Sequence, residues 1–310
     1  MDRKHYQLII IGSGPAGCTA AIYAARANLN FAMIAGLEQG GQLTKAPKIA
    51  NWPGEPEEIS GMILMEKMIN QLRNFNITIL SDHIEKVDLA KRPFYLKSGG
   101  AEYTCDALVV ATGASAKFLG LPSEKKYIGR GVATCAVCDG FFYKNKEVVI
   151  AGGGNVAVGE ALYLAKIVKK VTLIHRRDTL RAEAKLIEQL KKNPNIKLIL
   201  NCNIVEILGD LQGVTGVRIK EVNTNAAQDI VCQGVFISVG NKPNTEIFAG
   251  QLEMDHDYIK TGFDAITATS IQGVFAAGDV VASSYHQAII AAGSGCVAAL
   301  DAKNFLAKFS

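Results

Sequence analysis

Two glycine-rich loops, each set between a short apolar run and a helix-like stretch, predict an α/β fold made of two Rossmann-like dinucleotide-binding domains. A third apolar run, ending in Gly278-Asp279, predicts that the chain returns to the first domain after completing the second, which is thereby inserted into it. Composition agrees: 310 residues, 49% hydrophobic and 20% charged, bury a large core and normally divide into two domains.

The first unit opens with a strand from Gln7 to Ile11, the loop Gly12-Ser13-Gly14-Pro15-Ala16-Gly17 and an alanine-rich helix from Cys18 to Asn28. Gly12 permits a tight turn, Gly14 lets backbone approach a pyrophosphate, and Gly17 allows helix and strand to pack closely, with the helix N-terminus facing the phosphates. Phe31-Ala32-Met33-Ile34 supplies the second strand of the βαβ unit. It runs into Ala35-Gly36-Leu37-Glu38, where Glu38 is either a ligand of an adenosine ribose or a solvated loop glutamate. Gly40-Gly41-Gln42-Leu43 adds backbone donors.

The second unit repeats this logic with Val148 to Ala151, the loop Gly152-Gly153-Gly154-Asn155-Val156-Ala157 and a helix reaching about Val168. Its next strand, Val171 to Ile174, ends in His175-Arg176-Arg177, with Arg181 four residues beyond Arg177. An NAD site would carry an acid there. Guanidinium groups instead suit the 2′-phosphate of NADP(H), against the plainer alternative of a solvated basic face.

Two further strand ends mark the crossings. Ala107 to Val110 leads into Ala111-Thr112-Gly113-Ala114, and Phe236 to Gly240 leads into Asn241-Lys242-Pro243-Asn244. Asp279 is placed for a ribityl hydroxyl. The FAD domain is therefore drawn as residues 1–113 and 245–310, and the NADPH domain as 114–244.

Between the two loops lies Cys135-Ala136-Val137-Cys138-Asp139-Gly140. A Cys-x-x-Cys pair can cycle between dithiol and disulfide, and the adjacent carboxyl can move the protons that each cleavage needs. Structural zinc requires four ligands, and no second Cys-x-x-Cys or His-x-x-x-His accompanies this one, so no metal is expected. Cys18, Cys105, Cys202, Cys232 and Cys296 read as reduced core thiols of a cytoplasmic protein. A net charge of +4 without a block of like charges implies neither nucleic acid nor a membrane surface. The apolar run at the start is too short for a signal peptide or a spanning helix. Met62 to Phe75 reads as a helix with a core or dimer face, and Trp52 as a loop residue packed on the first domain.

These motifs, together with Asn51-Trp52-Pro53-Gly54 and Gly40-Gly41-Gln42-Leu43-Thr44, resemble in order and spacing the low-molecular-weight, bacterial-type thioredoxin reductases along nearly the whole chain. The resemblance implies a homodimer, each subunit binding one FAD and one NADPH. It implies that hydride passes from NADPH to flavin, that reduced flavin opens a Cys135–Cys138 disulfide, and that the dithiol reduces thioredoxin, with Asp139 moving protons. It implies a rotation of the smaller domain, since the nicotinamide and the dithiol must reach the same flavin. Candidate flavin contacts are Gly12 to Gly17, Gly36, Glu38, Gly41, Gln42, Leu43, Asn51, Ala111, Thr112, Gly113, Gly278, Asp279, His286, Gln287 and Ala288. Those for NADPH are Gly152 to Val156, His175, Arg176, Arg177 and Arg181.

The chain departs from the family pattern in three places. Val156 stands where relatives carry Ser or Thr, Gly159 where they carry Glu, and His286 where they often carry Arg. The first two lower the expected affinity for NADPH, and glycine inside a helix costs about 1 kcal/mol relative to alanine. His286 reads as a packing or hydrogen-bonding residue in preference to a proton relay. Alternative functions are a reductase of another small disulfide protein, one using another electron donor, or a flavin-binding redox sensor. A ferredoxin-NADP reductase would have no use for Cys135 and Cys138.

Overall fold

The computed structural model describes residues 4–75, 77–282 and 285–309. Two compact units result: residues 1–115 with 242–310, and residues 116–241. The divisions fall at 115/116 and 241/242, a few residues from the expected crossings near 113 and 244.

Unit 1 begins with β1 (Lys4–Ile11), α1 (Pro15–Arg26) and β2 (Phe31–Ile34), followed by α2 (Gly61–Arg73) and β3 (Thr78–Leu80). Then come β4 (Ile84–Asp88), β5 (Phe94–Ser98) and β6 (Glu102–Val110). The sheet order is β3-β2-β1-β6-β5-β4. β1 pairs in parallel with β2 and β6, so that Ile11 lies beside both Ile34 and Val110. Parallel strands covered on both faces need apolar residues throughout. Leu8 and Ile10 accordingly enter one core and Ile9 and Ile11 the other. Ser60 caps α2 by accepting the Ile63 N–H at 3.2 Å, and Leu64, Met65, Met68, Ile69 and Leu72 turn inward while Met62 stays exposed. Burial of each of the nearly inaccessible Leu64, Met65 and Leu72 contributes roughly 1.5–3 kcal/mol. Trp52 packs on the same core.

The chain leaves unit 1 through β7 (Ala114–Ala116) and, after α3 (Pro122–Tyr127) and β8 (Val132–Ala133), reaches α4 (Ala136–Asp139). β9 (Glu147–Gly152), α5 (Asn155–Leu164), β10 (Lys170–Ile174), α6 (Ala184–Lys192) and β11 (Ile196–Ile199) form the second Rossmann unit. α5 is shorter than expected. Beyond Leu164 the chain tightens, with Ile167 N–H donating to the Leu164 carbonyl at 2.8 Å, so Val168 lies in a turn. β12 (Cys202–Gly209), β13 (Val214–Glu221) and β14 (Ala227–Val231) make a separate antiparallel sheet, and β15 (Gly234–Ser238) completes the parallel order β11-β10-β9-β15-β8.

The return strand β16 (Asn241–Pro243) pairs with β7. Beside this ladder the Thr112 hydroxyl donates to the Asn244 carbonyl (2.7 Å), the Asn244 amide to the Thr112 carbonyl (2.8 Å), and the Asn244 N–H to Gly113 (3.0 Å). A short hairpin, β17 (Met254–Asp255) and β18 (Tyr258–Ile259), precedes β19 (Val274–Ala276) and α7 (Ala288–Leu306). The apolar run toward Gly278-Asp279 is thus a strand of only three residues, laid in parallel on β6 with Ala276 beside Val110. By length and composition α7 could cross a membrane. Here its small residues serve a different purpose: a Cβ on Gly295 would lie 2.1 Å from the Ala16 carbonyl oxygen, so α7 and α1 pack nearly backbone to backbone. At its end, Phe305 and Phe309 both stack against the Arg92 guanidinium, at 5.0 and 4.5 Å.

Candidate active site

Cys135 and Cys138 are joined as a disulfide at the start of α4. The Cys135 sulfur accepts the Cys138 N–H at 3.2 Å, which fixes the turn that holds the two sulfurs together. Both cysteines and Asp139 are half-buried, whereas Val137 and Phe141 expose apolar side chains around them. Burial, reinforced by the charge of Glu160, pushes the Asp139 carboxyl up to about 6. A carboxyl in that range can both give and take a proton near neutral pH.

In unit 1 the first glycine loop is shaped by contacts that exclude a side chain. A Cβ on Gly12, whose φ is +112°, would lie 2.1 Å from the Ala111 oxygen, and one on Gly17 would lie 1.9 Å from the Gly12 oxygen. Around Gly14 there is nothing within 4 Å, and no side chain caps α1, which starts at Pro15. Gly41 (φ +63°) sits against Gly14, its Cβ position 3.5 Å from the Gly14 Cα. Gly278 stands against Ala16, and Asn51 donates to Gln287 at 3.4 Å, which draws the loop ahead of α2 to the start of α7 at Ala288. Asp279 borders a cavity of about 240 Å³ together with Gly278, Tyr285, Ala291 and Ser294. Burial raises its proton affinity and the neighbouring His286 lowers it. His286 itself packs edge-on against Tyr258.

Several predicted side chains in unit 1 turn inward. The Ser13 hydroxyl donates to Ala35 (2.8 Å) and accepts from Gly40 N–H (3.0 Å), so it ties the loops together. The Thr112 hydroxyl is taken by Asn244, and Leu43 packs on the core. Glu38 is exposed and paired with Lys45 at 2.7 Å, while Gln42 is exposed and Gly36 adopts φ +80° with nothing near its Cβ position.

In unit 2 the loop after β9 has the same logic with a different third residue. A Cβ on Gly152 would meet the Ala157 methyl at 2.5 Å, and one on Gly153 would meet the His175 ring at 2.3 Å, while Gly154 faces open space and α5 has no side-chain cap. His175 therefore lies beneath the loop, 6% exposed, with its Nε2 lacking a partner among the described residues. Burial, and then the charges of Arg181, Arg177 and Arg176, lower its proton affinity. Those three arginines are exposed and form no ion pair among the described residues. The segment carrying them is stapled to the glycine loop: Arg181 N–H donates to the Gly153 carbonyl (2.7 Å), Glu183 N–H to the Asn155 side chain (2.8 Å), and Asn155 in turn to the Glu183 carboxylate (3.0 Å). Val156 is 64% exposed at the first turn of α5.

The description of the pyridine nucleotide-disulphide oxidoreductases matches residues 6–295. The chain belongs to that family. Within it, the chain is 55% identical over 310 residues to the thioredoxin reductase of Coxiella burnetii, covering 98% of this chain and 97% of the relative. It is also 52% identical over 312 residues to a protein of Pseudomonas fluorescens named glucosaminate ammonia-lyase, covering 99% and 97%. Among solved structures, the thioredoxin reductase from Giardia duodenalis superposes with a TM-score of 0.94 at 40% identity, covering 98% of this chain and all of the other.

Family membership implies FAD and NADPH, and the residues present fit both. Unit 1 offers an uncapped helix start behind Gly14, open space at Gly14 and Gly36, and a half-buried carboxyl beside a cavity. Unit 2 offers an uncapped helix start behind Gly154 and three cationic side chains without partners of opposite charge.

One pair of residues at this site went unread in the sequence. The Glu160 carboxylate accepts the Ala136 N–H at 3.0 Å and the hydroxyl of Ser238, joining α5 and the end of β15 to the disulfide turn. Neither residue carries a motif of its own. The available signal was the placement of Glu160 on the helix that starts at the second glycine loop.

Proposed function

We propose that this protein is an NADPH-dependent flavoprotein that reduces the disulfide of thioredoxin through Cys135 and Cys138. FAD, when bound, would supply the chemistry that converts a hydride from NADPH into two electrons for the disulfide. The observation that carries the proposal is the disulfide itself, set beside a carboxyl whose proton affinity lies near neutrality, in a chain with two complete dinucleotide loops. A lyase, the name given to one relative, has no need of such a pair.

In unit 1, Gly14 and the start of α1 would receive the flavin nucleotide's pyrophosphate, and Asp279 would accept a hydrogen bond from a ribityl hydroxyl. In unit 2, Gly154 and the start of α5 would receive that of NADPH, and Arg176, Arg177 and Arg181 would hold its 2′-phosphate. In the exchange, one cysteine thiolate attacks the partner disulfide and forms a mixed disulfide, and the departing partner thiolate takes a proton. The second cysteine thiolate then displaces the other partner sulfur, which is protonated in turn, and Cys135–Cys138 re-forms. Two electrons and two protons pass, with Asp139, next to Cys138 in the chain, to supply a proton. Val137 and Phe141 give a protein substrate an apolar surface beside the sulfurs. The FAD domain (1–113, 245–310), the NADPH domain (114–244), a rotation of the latter, a homodimer and a cytoplasmic location belong to the same proposal. The homodimer and the rotation rest on the resemblance, the domain bounds on the strand ends that mark the crossings, and the location on the cysteine pattern.

The test is an anaerobic titration of the yellow protein with NADPH, and separately with NADH, followed by oxidised thioredoxin. The flavin band should bleach with NADPH and return on addition of thioredoxin. Bleaching without return would transfer the activity to another disulfide partner, and no bleaching would overturn the electron donor. Sedimentation gives the oligomeric state.

A further inference from the structure

Asp139 and Glu160 are neighbouring carboxyl groups in unequal surroundings. Glu160 is held by two donors, the Ala136 N–H and the Ser238 hydroxyl, whereas among the described residues no donor reaches the Asp139 carboxyl. Hydrogen bonds to a carboxylate favour its charged form, and two adjacent carboxylates resist ionising together. The two donors therefore favour the charged form of Glu160 over that of Asp139.

We propose that Glu160 is a positioning residue for disulfide exchange: by accepting the Ala136 N–H at 3.0 Å and the Ser238 hydroxyl it holds the backbone between the two cysteines and sets a second carboxyl beside Asp139. This rests on the thioredoxin reductase activity proposed above. Ser238, at the end of β15, donates its hydroxyl to Glu160 and so favours its charged form. Burial pushes both carboxyls up, the donors on Glu160 oppose that rise, and Asp139 takes the further push from Glu160 to about 6.

The other ionisable groups nearby do not reproduce this arrangement. Burial and then the charge of Asp139 drive the Tyr143 phenol up to about 12, so it stays neutral across the working range. Burial likewise pushes the Cys232 thiol up to about 12. Of the elements packed on α5, β9 carries Glu147, paired with Lys169, β10 carries Lys170 and ends beside His175, and α6 carries Lys185, Glu188, Lys191 and Lys192. None of these shifts Asp139 or Glu160. The sulfurs of Cys135 and Cys138 complete the set.

The experiment compares Glu160→Gln, which retains the shape and an acceptor for Ala136 but removes the charge, with the parent holoenzyme. One readout is the pH profile of thioredoxin turnover. A second is the pH profile of iodoacetamide alkylation of the dithiol after reduction with dithiothreitol, which needs neither nucleotide nor thioredoxin. With the charge gone, Asp139 loses its proton at lower pH. The protonated fraction at pH 7.5 should fall roughly three- to tenfold, and both profiles should move to the acid side. Ser238→Ala should move them in the same direction by less, and it carries the test should Glu160→Gln fail to fold. In an Asp139→Asn background the Glu160→Gln shift should shrink to the direct effect of the lost charge on the thiols. Unmoved profiles in folded Glu160→Gln, or a shift undiminished in the Asp139→Asn background, would overturn the proposal. Absence of thioredoxin turnover in the parent would instead overturn the activity, leaving the alkylation profiles to decide the role of Glu160.

Discussion

The two glycine loops follow one plan and differ at the third small residue and at the end of the second strand. In unit 1 the third position must be glycine, because a Cβ on Gly17 would collide with backbone, whereas in unit 2 Ala157 places its methyl over Gly152. At the strand end, unit 1 presents Glu38, already paired with Lys45, and unit 2 presents Arg176, Arg177 and Arg181, which have no partner of opposite charge among the described residues. In the proposed function the loop's backbone would supply general affinity for a pyrophosphate, and the strand end would select which nucleotide is kept.

The sharpest way to break the comparison is to add a methyl group to each loop. Gly17→Ala should destabilise the protein by more than about 3 kcal/mol, since backbone must move, and thermal unfolding or loss of soluble protein would register it. Gly14→Ala should leave unfolding nearly unchanged but yield colourless protein, because its methyl enters the space the flavin nucleotide would occupy. Gly154→Ala should keep both the fold and the yellow colour while raising the KM for NADPH by about tenfold or more. A colourless Gly154→Ala protein would mean that the two loops do not divide the nucleotides as proposed.

Selectivity is tested at the strand end. Arg176→Ala combined with Arg177→Ala would remove the charge-assisted bonds proposed to the 2′-phosphate, so the KM for NADPH should rise at least about tenfold and that for NADH by less than about threefold. Equal changes would remove the 2′-phosphate assignment. The smallest effect is expected at Gly159, which lies inside α5 with nothing within 4 Å of its Cβ position. Gly159→Ala should raise stability by about 0.5–1 kcal/mol in denaturant titration with kinetics unchanged. A loss of activity would show that the glycine leaves room for a ligand.

What the sequence disclosed was what local spacing encodes. Both loops, the strands feeding them and the dithiol are contiguous patterns, and each carries its own steric reason. Features formed by distant residues were not legible. Ser13 resembled a ligand because it sits within the loop, yet its hydroxyl is used by Ala35 and Gly40. His175 stands at the strand end with the arginines, but the absent side chain of Gly153 makes room for it beneath the loop. Glu160 acquires its role from Ala136 and Ser238, 24 and 78 positions away. No periodicity records such a meeting.

The paired crossing strands bear on how the protein can be dissected. β7 and β16 lie side by side, so the chain departs from unit 1 and rejoins it at a single doorway. Removing residues 116–241 therefore leaves two ends on adjacent strands, which a hairpin-sized linker of about two to four residues can close. The excised segment likewise begins and ends at neighbouring points, as a self-contained module would. The division thus follows the chain's own geometry: one cut at each of two neighbouring strands separates residues 116–241, which carry the disulfide, from the rest.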